Sequence, residues 1–186
     1  MKRLFDLLMC SIVIIILAMP MLVIYMAVIS SSKGPGIYWS KRIGKNNKIF
    51  EMPKFRSMKL NTPDKASHLI SDPSDFITPI GNFLRRYSLD ELPQLFSVLK
   101  NEMSLIGPRP ALFNQNELIQ LRTQKGVDKL LPGVTGWAQV NGRDELSIPK
   151  KVELDLEYLV KKSMLFDLRI IWMTLLKVIS KDGVAH

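Results

Sequence analysis

The sequence predicts a mainly helical α+β protein that is held to a membrane by its N-terminal segment. Three observations predict this class: a long uncharged apolar run, two β-rich runs around a Gly/Asn turn, and several helical patterns of which the last is amphipathic. We expect residues 1–32 to be embedded in the membrane. Residues 33–186 are expected to form one folded domain with a small β-hairpin and interfacial helices, since 186 residues suit a single domain.

The composition is that of a folded, basic protein. Hydrophobic residues make up 47% of the chain and charged residues 23%, which excludes a disordered chain. The formal net charge is +9, and nucleic acid, anionic lipid headgroups and phosphorylated small molecules would each complement it. Cys10 is the only cysteine, so the sequence excludes an internal disulfide and a thiolate zinc site.

The apolar run extends from Leu7 to Ile29 without a charged side chain. It has about 23 residues, which exceeds the roughly 20 that a helix needs to span a bilayer. A cleavable signal peptide is a competing interpretation. It is disfavoured because the run is longer than a usual signal core and residues 30–33 offer no small-residue cleavage site.

Basic residues flank the apolar run on both sides. Lys2 and Arg3 precede it, and Lys33, Lys41, Arg42, Lys45 and Lys48 follow. Both flanks therefore have cytoplasmic character by the positive-inside rule. Pro20 lies near the middle, where a proline removes a hydrogen bond and kinks a helix. We expect a re-entrant helix that is broken at Pro20, and an ordinary kinked transmembrane helix is the alternative.

The segment after the apolar run predicts a β-hairpin followed by helices. Residues 37–43 and 48–52 are β-rich and flank the turn Gly44-Lys45-Asn46-Asn47. Residues 61–79 are rich in Pro, Asp and Ser and predict a loop. Helical patterns follow at 80–86, 93–100, 112–122 and 150–162.

The last helical stretch, residues 167–181, is amphipathic. Arg169, Lys177 and Lys181 lie outside its apolar stripe, which consists of Leu168, Ile171, Trp172, Leu175 and Ile179. A helix of this kind packs against a core or lies in a membrane interface. The sequence alone leaves both placements open.

Two adjacent carboxylates, Asp90 and Glu91, stand just before a predicted helix. Pro93 suits the first helical turn, which places both carboxylates at the positive end of the helix dipole and favours their ionised forms. Ser88 and Glu91 also match a capping box, in which each side chain bonds a free backbone amide. The two carboxylates are therefore candidates either for a catalytic role or for a helix cap.

Arginines in turn-rich segments favour the chemical interpretation of the carboxylate pair. A guanidinium offers paired donors to phosphate oxygens and lessens the repulsion between a carboxylate and a bound phosphate. Mg²⁺ would do the same, because it is commonly held by one or two carboxylates and substrate phosphates, and Asp90 and Glu91 could supply these. The arginines in question are Arg85, Arg86, Arg109 and Arg143.

Two loops rich in glycine and proline could grip a nucleotide diphosphate. Residues 107–110 fix Arg109 between two prolines, and residues 132–143 present glycine turns, amides and Arg143. Loops of this composition are mostly plain turns. Neither contains a P-loop or a G-x-G-x-x-G run, which disfavours a nucleotide-hydrolysing motor and a Rossmann cofactor site.

Three motifs in this order resemble the small monotopic phosphoglycosyl transferases of bacteria. They are SLDELPQL at 88–95, MSLIGPRP at 103–110 and PGVTGWAQVNGR at 132–143. The chain resembles the family's minimal catalytic unit, without the extra membrane helices and accessory domain of its larger members. The family commonly breaks its membrane helix at a Ser-Pro pair, whereas this chain has Met19-Pro20.

The resemblance implies a two-step transfer at the cytoplasmic face of the bacterial inner membrane. Asp90 would attack the β-phosphorus of a UDP-sugar, release UMP and carry a covalent sugar phosphate that undecaprenyl phosphate then accepts. Glu91 would assist metal binding or accept the carrier's proton, and Mg²⁺ would screen the diphosphate. The residues to which the resemblance assigns substrate contacts are Arg56, Arg85, Arg109, Arg143 and Asp167.

The partners that the resemblance implies are a UDP-sugar, undecaprenyl phosphate and membrane lipids, and not nucleic acid. The reaction would be the first membrane step in the synthesis of a glycoconjugate, exopolysaccharide or lipopolysaccharide. The sequence is compatible with a homo-oligomer and does not specify the sugar. Three alternatives remain: a non-catalytic basic membrane adaptor, a structural subunit of an export complex, and a phosphatase that hydrolyses the UDP-sugar without the lipid.

Overall fold

The computed structural model describes residues 2–60, 62, 76–142 and 145–180. Most of the predicted loop at 61–79 lies outside these residues. Short 3-10 turns occur at Lys45–Asn47, Leu89–Glu91 and Val127–Lys129. The helices and strands, in chain order, are α1 (Lys2–Ser31), β1 (Ile37–Ile43), β2 (Ile49–Phe55), α2 (Gly81–Arg86), α3 (Gln94–Leu99), β3 (Ser104–Ile106), α4 (Asn116–Gln124), β4 (Gly133–Thr135), α5 (Trp137–Val140), α6 (Ile148–Lys161) and α7 (Met164–Ser180).

The apolar run forms the long helix α1. Its 30 residues correspond to about 45 Å at 1.5 Å per residue, and its length and hydropathy suffice to cross a membrane. The helix contains Pro20 and is continuous to Ser31. The apolar helix that the sequence predicts is therefore confirmed, whereas a break at Pro20 and a re-entrant path are not.

One face of α1 packs against the rest of the chain along the whole helix. The residues on this face recur every three or four positions, and they are Asp6, Cys10, Val13, Leu17, Met21, Ile24 and Val28. The opposite face exposes large apolar side chains such as Ile15, 75% exposed, and Met19, 70% exposed. A core helix of a water-soluble protein would have this face covered, and the exposed stripe is compatible with membrane association.

The predicted hairpin is confirmed. Strands β1 and β2 pair antiparallel from Ile37 with Phe55 to Ile43 with Ile49. Asn46 and Asn47 in the turn have φ angles of 54° and 59°, a conformation that asparagine tolerates better than most residues. The second strand extends three residues beyond the predicted run and so reaches Phe55.

A second, parallel pair of strands was not predicted because each has only three residues. β3 and β4 pair Ser104 with Gly133 and Ile106 with Thr135. The pairing continues into the following loop, where Gly107 N donates to Thr135 O at 2.9 Å. The two loops that the sequence singled out, residues 107–110 and 132–143, therefore meet along β3 and β4.

The predicted helices at 80–86, 93–100 and 150–162 match α2, α3 and α6 to within two residues at each end. α4 begins four residues later than predicted, because Leu112 forms a β-bridge with Arg42 and its amide donates to Gln115 Oε1 at 2.9 Å. The four-residue helix α5 falls in the loop predicted at 132–143.

Helix α7 begins three residues before the predicted stretch and combines a core face with an exposed apolar face. Ile170 is completely buried, in a cluster with Tyr158 of α6. Trp172 is 63% exposed, and the other exposed apolar side chains of the helix are Leu165, Leu168, Leu175, Leu176 and Val178. Core packing therefore accounts for one face of the helix and leaves the other available to the membrane interface.

Candidate active site

The two adjacent carboxylates lie in the 3-10 turn that joins α2 to α3. Ser88, which precedes this turn, has a left-handed backbone with φ 53°, and its side chain makes no capping hydrogen bond. Pro93 is the N-terminal flanking residue of α3 and not its first helical residue. The capping box is therefore not formed, and Glu91 instead faces two cationic side chains.

Arg109 binds Glu91 through both carboxylate oxygens. Its Nη2 donates to Oε1 at 2.6 Å and its Nη1 donates to Oε2 at 3.2 Å. A two-point contact of this kind fixes the orientation of both groups, because the planar guanidinium matches the planar carboxylate. Arg109, one of the arginines that the sequence singles out, therefore lies beside the carboxylate pair.

Lys54 is a site residue that the sequence reasoning missed. Its Nζ donates to Glu91 Oε1 at 2.8 Å and lies 3.9 Å from Asp90 Oδ2. The residue lies on β2, between the buried residues Pro53 and Phe55. A lysine inside a buried strand requires a carboxylate partner, and this was the signal in the sequence that could have identified it.

Burial and the neighbouring charges have opposite effects on the pKa of the Asp90 carboxyl group. Asp90 is 8% exposed, and its burial raises the pKa of the carboxyl above its ordinary value, although the Lys54 ammonium opposes this shift. Glu91 acts in the same direction as burial, and Arg109 and Arg85 act with Lys54. Burial also lowers the pKa of Lys54, and the two carboxylates oppose that shift. The ionised form of Asp90 therefore depends on the cations around it.

Arg85 of α2 brings a third cation to the cluster. Its charge is among those that lower the pKa of Asp90, and its Nη1 is buried without a hydrogen-bond partner among the described residues. A buried guanidinium nitrogen without an acceptor is costly, and a bound anion would satisfy it.

The cluster carries a net positive charge. Two carboxylates meet three cations, so that the formal charge is +1. Such a site attracts an anionic substrate, and it holds a carboxylate where the cations reduce its repulsion from a phosphate. This arrangement is suited to an attack by a carboxylate on phosphorus.

The loop that carries Arg109 is braced by backbone contacts with the loop at 132–143. Gly133 N donates to Pro108 O at 2.9 Å. A Cβ atom at Gly133 or Gly136 would overlap the backbone of Gly107. The glycines of this motif therefore permit the two chains to approach closely, and this holds Arg109 beside Glu91.

Residues 1–181 match the family described as bacterial sugar transferase. The chain belongs to this family. Among its relatives are the UDP-glucose:undecaprenyl-phosphate glucose-1-phosphate transferase of Escherichia coli K12, 39% identical over 183 residues, and the undecaprenyl-phosphate galactose phosphotransferase of Salmonella typhimurium, 38% identical over 200 residues. These matches cover 95% and 98% of this chain and 39% and 41% of the relatives.

A third relative of this bacterial sugar transferase has a similar length. The uncharacterized sugar transferase EpsL of Bacillus subtilis is 38% identical over 192 residues, which is 98% of this chain and 89% of that protein. The first two relatives are longer, and the chain spans about two fifths of their length.

The family resemblance assigns a substrate contact to Arg56. In the sugar transferase its guanidinium instead forms hydrogen bonds at the end of α1, away from the carboxylate cluster. It is buried at the end of α1, where Nη1 donates to Lys33 O at 2.6 Å and Nη2 donates to Ser32 O at 2.7 Å and Ser32 Oγ at 2.9 Å. In this position Arg56 satisfies backbone carbonyls that follow helix α1. It makes no hydrogen bond to the carboxylate cluster among the described residues.

Asp167 belongs to a second buried cluster, at the other end of α1. Its Oδ2 accepts a hydrogen bond from Lys2 Nζ at 2.7 Å, and its Oδ1 accepts one from Tyr158 at 2.8 Å. Asp6 of α1 lies in the same region and accepts a hydrogen bond from Ser104 Oγ at 2.7 Å. Arg143 lies outside the described residues, so its predicted substrate contact stays a prediction.

The donor set fits Mg²⁺ at one carboxylate. Among the described residues no group of three or more His, Cys, Asp or Glu could hold a metal ion. Both oxygens of Glu91 are held by Arg109, whereas Asp90 contacts Lys54 at 3.9 Å through one oxygen. Mg²⁺ accepts a single carboxylate when substrate phosphates supply further ligands. Asp90 could therefore bind the ion together with a bound diphosphate. Glu91 could bind it only if Arg109 or Lys54 moved away from its carboxylate.

Proposed function

We propose that this bacterial sugar transferase moves a sugar 1-phosphate from a UDP-sugar to undecaprenyl phosphate. The single observation that carries the proposal is a buried carboxylate, Asp90, set among three cations beside a second carboxylate that arginine holds in place. The names of the relatives support the substrate class, since they specify UDP-glucose and undecaprenyl phosphate. UMP release with a panel of UDP-sugars would identify the sugar that this chain uses.

In the first step a carboxylate oxygen of Asp90 attacks the β-phosphorus of the UDP-sugar. A bond forms between this oxygen and phosphorus, the bond from phosphorus to the bridging oxygen breaks, and its electron pair leaves with UMP. The sugar phosphate is then bound to Asp90 as an acyl phosphate. Covalent catalysis of this kind divides one displacement into two easier ones.

In the second step a phosphate oxygen of undecaprenyl phosphate attacks the same phosphorus, and the bond to Asp90 breaks. An acceptor that arrives as the dianion has no proton to lose, since the second pKa of a phosphate monoester is about 6. The arrangement of Glu91 supports a role in fixing Arg109 and Lys54. Acceptance of a proton by Glu91 would require one of these cations to move.

Arg85 and Arg109 are suited to the substrate's phosphates. Arg85 has a buried donor without a partner, and Arg109 is held at the edge of the cluster with a quarter of its side chain exposed. Both would neutralise charge on the diphosphate during the transfer. Mg²⁺, held by Asp90 and the diphosphate, would supply further screening of the same charge.

We further propose that α1 enters and leaves the membrane on one side, the cytoplasmic face of the inner membrane. Both ends of the helix are tied to the same domain: Lys2 binds Asp167, and Arg56 binds the carbonyls of Ser32 and Lys33. A straight span would separate these ends by the bilayer thickness, about 30 Å of hydrocarbon, and place one set of contacts beyond it. A bend at Pro20 would let the exposed apolar face enter lipid while the contacts at both ends of the helix stay on one side of the membrane.

Cysteine accessibility tests this membrane arrangement. In a Cys10→Ser background, single cysteines at Lys2 and Lys33 are expected to react with an impermeant reagent from the cytoplasmic side only. Reaction of the two positions from opposite sides would establish a spanning helix instead. Cysteine at Lys48, in the hairpin turn, marks the side of the folded domain.

Release of UMP by the purified protein tests the function. The assay contains Mg²⁺, undecaprenyl phosphate and a panel of UDP-sugars, beside Asp90→Asn. Sustained release that requires the lipid and disappears in the variant is expected. Steady release of UMP without lipid would indicate a phosphatase. If no sugar gives UMP and no product enters the lipid phase, the proposed transfer is excluded. The protein would then be a non-catalytic membrane adaptor or a subunit of an export complex.

A further inference from the structure

A buried ion pair lies behind the loop that carries Arg109. Arg122 of α4 donates from Nε and Nη2 to Asp155 Oδ2 of α6, at 2.9 Å and 2.6 Å. Arg122 is 9% exposed and Asp155 is 1% exposed. Neither residue contacts Asp90, Glu91 or Lys54 in the described part of the chain, so the pair stands outside the site described above.

The third guanidinium nitrogen of Arg122 connects the ion pair to the site. Arg122 Nη1 donates to the backbone carbonyl of Arg109 at 2.8 Å. The side chain of Arg109 binds Glu91, so one residue is held at its backbone by Arg122 and at its guanidinium by Glu91. A chain of polar contacts therefore runs from Asp155 through Arg122 to the backbone of Arg109, and from the guanidinium of Arg109 through Glu91 and Lys54 towards Asp90.

Other contacts fix the rest of this loop and leave the carbonyl of Arg109 to Arg122. Arg42 Nη1 donates to Pro110 O at 3.2 Å, and Ile43 N donates to Ala111 O at 2.9 Å. These bonds act one and two residues later in the chain. A guanidinium has enough donors to neutralise Asp155 and to bond a carbonyl at the same time, which one apolar side chain could not do.

We propose that Arg122 and Asp155 are positioning residues for Arg109 in phosphate transfer. The inference rests on the proposed function, because it assigns Arg109 to the substrate's diphosphate. For stability alone, two apolar side chains of similar volume can replace a buried ion pair without loss. The ion pair adds a fixed hydrogen bond to the residue whose guanidinium must be oriented, and Asp155 keeps Arg122 aimed at that carbonyl.

The test replaces the pair by apolar residues in the double variant Arg122→Met/Asp155→Leu. This variant is expected to fold, because no buried charge is left unpaired, and to lose about tenfold in kcat/KM for UMP release. The matched control is Lys150→Gln/Glu153→Gln, which removes an exposed ion pair from the same helix α6 and is expected to keep full activity. If the double variant does not fold by circular dichroism, Arg122→Lys serves in its place, since it keeps a cation opposite Asp155.

Combination with Arg109→Lys separates positioning from a general effect on the fold. Because the pair acts through Arg109, the combined variant should be about as active as Arg109→Lys alone. Losses that multiply, or full activity of the folded double variant, would overturn the proposal. If the wild-type protein releases no UMP, the proposed function fails. The inference is then tested by calorimetric affinity for UDP, which should weaken about tenfold in the double variant and, if unchanged, overturns it.

Discussion

The guanidinium of Arg109 occupies both carboxylate oxygens of Glu91, at 2.6 Å and 3.2 Å. This contact divides the two adjacent carboxylates by role. Glu91 organises cations, whereas Asp90 retains an oxygen that no described cation contacts closely. The neighbouring residues of the motif are thus placed in different environments, and this supports Asp90 as the group that reacts.

Lys54→Met is expected to destabilise the protein by about 3–5 kcal/mol, because it leaves two buried carboxylates with less positive charge. Thermal and urea denaturation measure the change. Lys48→Met, at an exposed position in the same hairpin, is the control and should have little effect. The loss of stability should be smaller when Lys54→Met is introduced into Asp90→Asn. Equal losses in both backgrounds would contradict a stabilising interaction between Lys54 and Asp90.

Arg85→Met is expected to raise the KM for the UDP-sugar about tenfold while the melting temperature is unchanged or rises. The guanidinium has a buried nitrogen without a partner, so its removal costs little until a phosphate is bound. Steady-state kinetics and thermal denaturation measure both quantities. Arg86→Met, at an exposed position of the same helix, should alter neither. An unchanged KM in Arg85→Met would exclude the phosphate contact.

Arg56→Lys distinguishes the contact observed for this residue from the substrate contact that the sequence suggested. The lysine keeps the charge but cannot reach three acceptors at the end of α1 at once, so the melting temperature should fall while the KM for the UDP-sugar is retained. Ser32→Ala, which removes one of these acceptors, should cause a smaller fall. A raised KM with an unchanged melting temperature would support the substrate contact instead.

Gly136→Ala is expected to lower the free energy of unfolding by about 1–3 kcal/mol, because the added methyl group overlaps the carbonyl of Gly107. Urea denaturation measures this loss. The comparison is Gly126→Asn, at a left-handed position with open space around it, which should be tolerated. If Gly136→Ala were as stable as the wild-type protein, the close approach of the two loops would not be required.

The sequence predicts the elements that have a clear period and misses those that depend on contacts between distant segments. The hairpin and helices α2, α3 and α6 follow from local patterns, whereas the ion pair between Arg109 and Glu91 becomes evident only in the folded chain. The three-residue strands β3 and β4 carry no period of their own. The sequence indicates a loop that could grip a nucleotide at the glycines 133 and 136, but it does not reveal that these glycines allow two backbones to approach closely.

The partners of charged residues also depend on contacts between distant segments. Arg56 and Lys54 are two residues apart, yet one binds carbonyls after α1 and the other binds the carboxylate pair. Nothing local distinguishes a lysine that neutralises a distant carboxylate from one that faces solvent, except its position in a buried strand. Asp167 and Lys2 are 165 residues apart, so that their contact becomes evident only in the folded chain.

Mass spectrometry of the protein without acceptor lipid tests whether Asp90 carries the sugar phosphate. Incubation with the UDP-sugar and Mg²⁺ is expected to release about one UMP per protein molecule and to add the mass of the sugar phosphate to the peptide that contains Asp90. Asp90→Asn should show neither. Undecaprenyl phosphate should then remove the adduct as lipid-linked product. Transfer to the lipid by a wild-type protein that shows no adduct and no early release of UMP would exclude a covalent intermediate on Asp90.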